Sequence, residues 1–424
     1  MKLFHLRLPT LKSKLYAIVF ASFVVRVVAF FTLPSSPSNL APDEGNYGAL
    51  TEWIANGKSA DEYSYGNLYI ISRTLILPAS WLTHLGLSGL DSVRIVSSIY
   101  GLLTISLVAS FFLTFYFTPQ NGSFSIPVSE KKFLFLLTIF AFLPSNLIWS
   151  MHGLRESALQ FWVVAVFIMV NYVLEVKKNI SRLSLFAIPL GILFVYSSRP
   201  QVGLILGVSL LIYFVTKMRD RVAQILIALT LIGIVLGVSF TTFSNEPPYG
   251  VGVRANLVKE ALKSDFSLVD SADRTFQSHL GNRVGAASEI KTISCPNSGA
   301  SRLDSYFCLA YRAPYTTFVF LFRPLPGVEV TSVSSLFAAL ENVLWLAAFI
   351  YVIAVFIRRR NIEKFKALFP SIIFLTTYSI SAGAYEGNMG TAFRHKSLIL
   401  WVVILLIGSA LVKTQDKPIK RKTK

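Results

Sequence analysis

The feature that most constrains this chain is a series of apolar runs long enough to cross a lipid bilayer. A hydrocarbon layer of roughly 30 Å takes about 20 helical residues, and inside it only helices or closed barrels satisfy their own backbone groups. Such runs occupy residues 15–33, 95–117, 133–150, 157–176, 222–243, 332–357, 367–382 and 397–412. Two shorter ones, 183–198 and 202–216, flank Arg199-Pro200 and read as a tight hairpin. The expected architecture is an all-α integral membrane protein of about ten transmembrane helices with in-plane juxtamembrane helices, both termini on one side. Composition agrees, since 53% of the 424 residues are apolar and 15% charged, where soluble domains carry about 25% charged residues.

The net charge of +18 would suit a nucleic-acid partner if it were gathered into one basic surface. It lies between the apolar runs instead. With the N-terminus inside, the cytoplasmic connections hold Lys and Arg with few acids (Glu130, Glu175, Asp220, Glu363, Asp416), whereas the outer pieces balance, so the whole excess is cytoplasmic. Lys177-Lys178 and Arg358-Arg359-Arg360 show this positive-inside pattern in short loops. A nucleic-acid role is unnecessary, and the plasma (inner) membrane is the expected location. The first apolar run is about 19 residues long and interrupted by Arg26, which reads as a retained anchor rather than a cleaved signal.

The chain divides into three regions. Residues 1–243 form a membrane module whose first outer loop is 34–94; residues 244–331 form a large outer loop; residues 332–424 hold the last transmembrane helices and a basic cytoplasmic tail. Long loops on one side only point to function on the outer face. In the first loop, Pro42-Asp43-Glu44 opens a stretch with Tyr47, Leu50 and Ile54 at helical spacing that stops at Asn56-Gly57, a short amphipathic helix. Residues 68–85 are apolar but contain Arg73 and Pro78, and read as an in-plane or re-entrant helix, because a crossing there would turn every later Lys/Arg cluster outward. In the second loop, a mixed-charge helix is expected around 254–263, and the aromatic run 311–322 should lie in the interface. Cys295 and Cys308 share that loop, where oxidation is permitted, so a disulfide between them is expected. The Asn-x-Ser sequons at Asn121 and Asn179 fall on the cytoplasmic side and should be unmodified.

Asp43 and Glu44 are adjacent acids just after the first span, suited either to general-base chemistry toward a hydroxyl or simply to starting a helix. Glu156, following Arg155 at the start of the fourth span, has the same two readings. Arg73, Arg94, Arg155, Arg199, Arg323 and Arg394 lie near outer boundaries, where guanidinium groups can neutralise a phosphate by bidentate contact or snorkel to headgroups. Arg199 sits at the turn of the short hairpin. The segment 386–391, with two glycines, precedes Arg394-His395-Lys396 and could form a phosphate or pyrophosphate clamp. Arg26 costs about 2.5–3.5 kcal/mol on insertion scales and wants a partner; Glu341 is the acid inside a later span, and the two are expected to pair or each to line a cavity. His5, His84, His152, His279 and His395 show no metal-ligand spacing.

Arg26, then Pro42-Asp43-Glu44 with Tyr47, then Gly57, then Arg94 with Ser97 and Gly101 resemble the start of the GT-C membrane glycosyltransferases, in particular the branch with protein mannosyltransferases and the lipid A aminoarabinose transferase. The similarity is a pattern of sparse positions over roughly the first 200 residues. It implies transfer of a sugar from a polyprenyl-phosphate donor to a glycan, lipid or protein acceptor on the outer face, with Asp43 catalytic and Glu156 placed like a second acid of that superfamily. Some members use a divalent ion, which Asp43, Glu44 or Glu156 could hold. Together these readings assign catalysis to Asp43, Glu44 and Glu156 and the donor phosphate to Arg73, Arg94, Arg199, Arg394, His395 and Lys396. The alternative is a surface-polysaccharide polymerase or ligase using pyrophosphate-linked oligosaccharides, which Arg394-His395-Lys396 and the long second loop would suit. A lipid-carrier transporter or scaffold is the third class, and the inverted repeats common in transporters are not seen.

Overall fold

The computed structural model describes residues 2–36, 41, 43–63, 67–117, 130–173, 182–216, 221–242, 302–326, 330, 333–359, 368–385 and 389–411. The large outer segment 243–301, with Cys295 and the expected helix near 254–263, lies outside the described residues, as do the side chain of Cys308, both sequons, residues 386–388 and the basic tail.

Among the described residues there are fourteen α-helices and no strand. They are α1 (Lys2–Thr32), α2 (Asp43–Ala55), α3 (Asn67–His84), α4 (Gly89–Phe117), α5 (Glu130–Phe142), α6 (Pro144–Met151), α7 (Arg155–Asn171), α8 (Arg182–Ser198), α9 (Pro200–Val215), α10 (Arg221–Thr242), α11 (Arg302–Phe322), α12 (Val333–Arg359), α13 (Phe369–Tyr385) and α14 (Met389–Leu411). The described part of each of the ten apolar runs is built of helix. Among the described residues four stretches are long and apolar enough to cross a membrane, namely Leu11–Thr32, Gly89–Leu113, Ser335–Arg358 and Thr391–Leu411, and the bent pair α5 and α6 would make a fifth. An integral membrane protein of several apolar helices is the architecture these lengths support.

The four candidates differ in where they sit. Thr391–Leu411 is 83% buried, whereas Leu11–Thr32 and Ser335–Arg358 are only 17% and 22% buried. A helix that is apolar all round belongs inside a bundle, and α14 accordingly packs Leu398, Trp401, Val402 and Leu405 into the main core. Its Trp401 ring lies 5.4 Å from that of Phe167 on α7, which in turn lies 5.3 Å from Phe374 on α13. On α1, Tyr16, Phe20 and Phe31 are exposed, a surface that hydrocarbon would cover.

The run read as one span over 133–150 is two helices that meet at 43°. Pro144 is the reason, because it offers no N–H to the preceding turn and its ring collides with the carbonyl four residues back. The side chain of Asn146 repairs part of the break by donating to the Phe140 carbonyl at 2.9 Å.

The first outer loop folds as a small unit with its own core. Tyr47 and Leu50 of α2 bury against Leu75, Ile76 and Ala79 of α3 and Val93 and Val96 of α4. Here α2 ends where the sequence stops it. Gly57 takes φ +74°, its N–H reaches the Ile54 carbonyl, and the Lys58 N–H reaches that of Trp53, the paired bonds of a left-handed glycine cap. The opposite end of the unit depends on Gly89, where a Cβ would overlap the Gly48 carbonyl, so α4 starts in direct backbone contact with α2.

Candidate functional site

The two neighbouring acids at the start of α2 point to different places, as successive helical residues must at 100° apart. Glu44 is fully buried. Its carboxylate accepts from Arg94 Nε at 3.2 Å and Arg94 Nη2 at 2.8 Å, and from the Gly153 N–H at 3.2 Å, with His152 Nδ1 at 3.4 Å. Arg94 spends its remaining donors on the carbonyls of Pro34 (2.7 Å) and Ser36 (3.2 Å). This is a filled, bidentate pair that ties the chain leaving α1 to α2, α4 and the turn before α7. Arg94 thus faces Glu44, not the cations it was grouped with as a phosphate ligand.

Asp43 faces the other way and keeps 38% of its side chain exposed. Its Oδ2 meets Arg394 Nη1 at 2.9 Å, and the same guanidinium places Nη2 3.2 Å from Oε1 of Glu156. Arg155 Nε is 3.9 Å from that oxygen. Glu156 is buried, yet neither of its oxygens completes a well-aligned hydrogen bond among the described residues. Burial alone would raise its pKa, but Arg394, Arg155 and Arg199 together hold it below the usual carboxylate range. The Tyr47 phenol, one turn from Asp43, is pushed up by burial, with Glu156 and Asp43 adding to the shift and Arg155 and Arg394 opposing it.

Backbone geometry brings these charges together. Asp43 and Arg155 open α2 and α7, and Arg199 is the N-cap of α9 in extended conformation. Three helix N-termini therefore add partial positive charge to the guanidinium groups. Arg199 enters through the hairpin between α8 and α9, whose turn is fixed to α3 by a 3.0 Å contact between Thr74 Oγ1 and Ser198 Oγ. Arg73 precedes that threonine and is half-buried.

Arg394, His395 and Lys396 do not act as one cluster. They lie in the second turn of α14, which starts at Met389, so their side chains fan apart. Arg394 reaches Asp43 and Glu156; His395 is buried in the helix packing. Lys396 turns inward and donates to the Arg323 carbonyl at 3.0 Å, the Leu321 carbonyl at 3.4 Å and Asn342 Oδ1 at 2.7 Å.

Arg26 and Glu341 do not pair. Arg26 donates Nε and Nη2 to Ser150 Oγ at 3.1 and 2.9 Å, and Nη1 to the Ser22 carbonyl and hydroxyl. Glu341 accepts from the Ser145 N–H at 2.8 Å, the Ser145 hydroxyl, and Trp345 Nε1 at 3.0 Å. Each charge takes its hydrogen bonds from neutral groups, on α6 and on its own helix, and the buried Lys396 ammonium adds an electrostatic attraction for Glu341.

The site also includes Arg155, named from the sequence as an outer-boundary cation beside Glu156, and His152 and Gly153, which the sequence reading did not group with the acids. The only local signal for the latter two is the break at Pro144 ahead of Gly153, which marks a turn leading into α7. No three or more His, Cys, Asp or Glu side chains come together as a cation cage among the described residues. Compared with family models, with curated proteins and with solved structures, the chain matches none.

Proposed function

We propose that this protein is an integral membrane glycosyltransferase that moves a sugar from a polyprenyl-phosphate donor to an acceptor hydroxyl at the outer face, with inversion. The observation that supports it best is a half-exposed carboxylate, Asp43, beside a buried carboxylate with unfilled oxygens, Glu156, both on one guanidinium, Arg394. In the proposed step, Asp43 takes the proton of the acceptor hydroxyl as its oxygen bonds to the anomeric carbon. The bond from that carbon to the phosphate oxygen breaks, and polyprenyl phosphate departs as a dianion. Arg394 and Arg199 neutralise that dianion, where preorganised donors are worth most. Donor binding draws Arg394 from Asp43 toward phosphate, which frees the base when it is needed. Glu156 orients the acceptor, and a divalent ion, if one takes part, would find its oxygen ligands in Asp43 and Glu156. Glu44 belongs to the supporting structure in this scheme.

The reading carries a topology with it: ten spans, α8 to α10 among them, both termini in the cytoplasm and the site on the outer side of the inner membrane. The asymmetric distribution of Lys and Arg supports it.

The test is turnover of purified protein with a panel of monosaccharides linked through one phosphate and oligosaccharides linked through two. Transfer from the first, lost by roughly 10²–10⁴-fold in Asp43→Asn as expected of a general base, supports the reading. Full turnover by Asp43→Asn removes it, and exclusive use of the second group replaces it with a polymerase or ligase.

A further inference from the structure

Two intramembrane charges, Arg26 and Glu341, have no place in the chemistry above, yet both terminate on α6. That helix has eight residues, and isolated helices shorter than about 12–15 residues are marginal. It is surrounded by α1, α4, α5, α7, α12 and α14, and it has no side-chain cap of its own at Leu143. Side chains from other helices hold both its ends.

At the N-terminus, Glu341 from α12 accepts from the Ser145 N–H and hydroxyl. This places a negative charge where free N–H groups and the helix dipole favour one. At the C-terminus, Ser98 on α4 donates to the Ser150 carbonyl at 3.1 Å, and Ser97 lies 3.4 Å from the Trp149 carbonyl and 3.3 Å from that of Leu154. Arg26 from α1 closes the arrangement on Ser150 Oγ. Space is matched as well, for a Cβ on Gly101 of α4 would lie 2.5 Å from Ser150 Cβ and 3.2 Å from Arg26 Nη2.

The site begins directly after α6. His152 and Gly153 contact Glu44, and Arg155 and Glu156 open α7. We infer that Arg26 and Glu341 are positioning residues that clamp α6 at its two ends and thereby fix the His152–Glu156 turn against the acids of α2. Neither touches Asp43, Glu44, Arg94 or Arg394 in the bonds described, so their effect is transmitted through the short helix. The link to turnover rests on the glycosyltransferase reading; the clamp itself does not.

The distinction from a merely structural role is testable because the hydrogen-bond partners of both charges are neutral. Replacing Arg26 with Leu strands no opposite charge and makes its span more apolar, so insertion and overall folding should survive. Glu341 also attracts the buried Lys396 ammonium, so Glu341→Leu is measured beside Glu341→Leu/Lys396→Met, which leaves no unpaired charge behind. Hydrogen exchange is measured on the full chain in lipid nanodiscs, comparing residues 145–157 with the hairpin 182–215. Arg26→Leu or Glu341→Leu should speed exchange in 145–157 by about tenfold or more while the hairpin keeps its wild-type rate, since local opening is governed by local contacts. Arg26→Lys and Glu341→Gln, which keep a donor and an acceptor respectively, should recover part of the protection. Unchanged exchange in 145–157, or equal acceleration in both segments, overturns the clamp. Loosened exchange with wild-type turnover overturns the link to the site, whereas an active Asp43→Asn protein defeats the glycosyltransferase reading and leaves the clamp standing.

Discussion

Replacing Glu44 with Gln should destabilise the outer unit without acting on the chemistry, while Asp43→Asn should impair the chemistry and leave stability nearly unchanged. The difference arises from burial and partners. Glu44 is inaccessible and holds Arg94, itself 2% exposed, through two bonds, so Gln leaves a buried guanidinium with no counter-charge and only neutral acceptors, the amide oxygen and the Pro34 and Ser36 carbonyls. Removing one member of such a pair costs about 3–5 kcal/mol. At about 2–4 °C per kcal/mol for a cooperative unit of 150–250 residues, the thermal midpoint should fall by roughly 10 °C. Asp43 is 38% exposed, and its partner Arg394 retains Glu156, so Asp43→Asn should cost less than about 1 kcal/mol, as partly exposed pairs do. Intrinsic tryptophan fluorescence on heating gives the midpoints, with Trp53 at the end of α2 a native reporter of the unit. The double variant Glu44→Gln/Arg94→Leu should be more stable than Glu44→Gln alone, because the uncompensated charge is gone. A Glu44→Gln protein that melts like wild type yet transfers no sugar would show that Glu44 acts in catalysis and that burial misassigned it.

Close approaches and charge set the other expected outcomes. Gly101→Ala should destabilise by about 1–3 kcal/mol, the range for overpacking, because the added methyl must move Ser150 or Arg26; thermal midpoints check it. Gly89→Ala should be worse, since the obstacle is the Gly48 backbone, and Gly57→Ala milder, since open space surrounds a strained φ of +74°. Glu156 titrates below the usual carboxylate value of 4.5, so the folded state gains from its charge. That gain is complete above pH 4.5 and lost as pH falls through the lower folded value. Melting between about pH 6 and pH 3 should lose less stability in Glu156→Gln than in wild type, and parallel acid limbs would contradict the assignment.

The helices were legible because burial in apolar surroundings leaves a one-dimensional record: the described part of each of the ten runs is built of helix, and Asn56-Gly57 ends α2 as its composition says. Span number was less legible, since length and apolarity alone select Leu11–Thr32 but leave α8 and α9 short. Pro144 was visible in the run 133–150, yet its consequence depends on whether neighbours supply the lost bonds. Here Asn146 does so locally, on the Phe140 carbonyl, and Glu341 does so from across the bundle, which no local pattern encodes.

Within the site, sequence separation decided what could be read. Asp43 and Glu44 were found as a pair because they are adjacent, and adjacency is also what misled, for neighbours on a helix diverge and only one of them stays accessible. The same geometry undid the grouping of Arg394 with Lys396. Conversely, Asp43, Glu156 and Arg394 come from three distant segments and share no spacing, so their meeting required the tertiary fold. A charge in an apolar span was read as a demand for an opposite charge, but a buried ion can equally be satisfied by several neutral hydrogen-bonding groups. Arg26 on Ser150 and Glu341 on Ser145 both take that course, and because the two serines lie at opposite ends of α6, each charge fixes one end of a helix too short to hold itself.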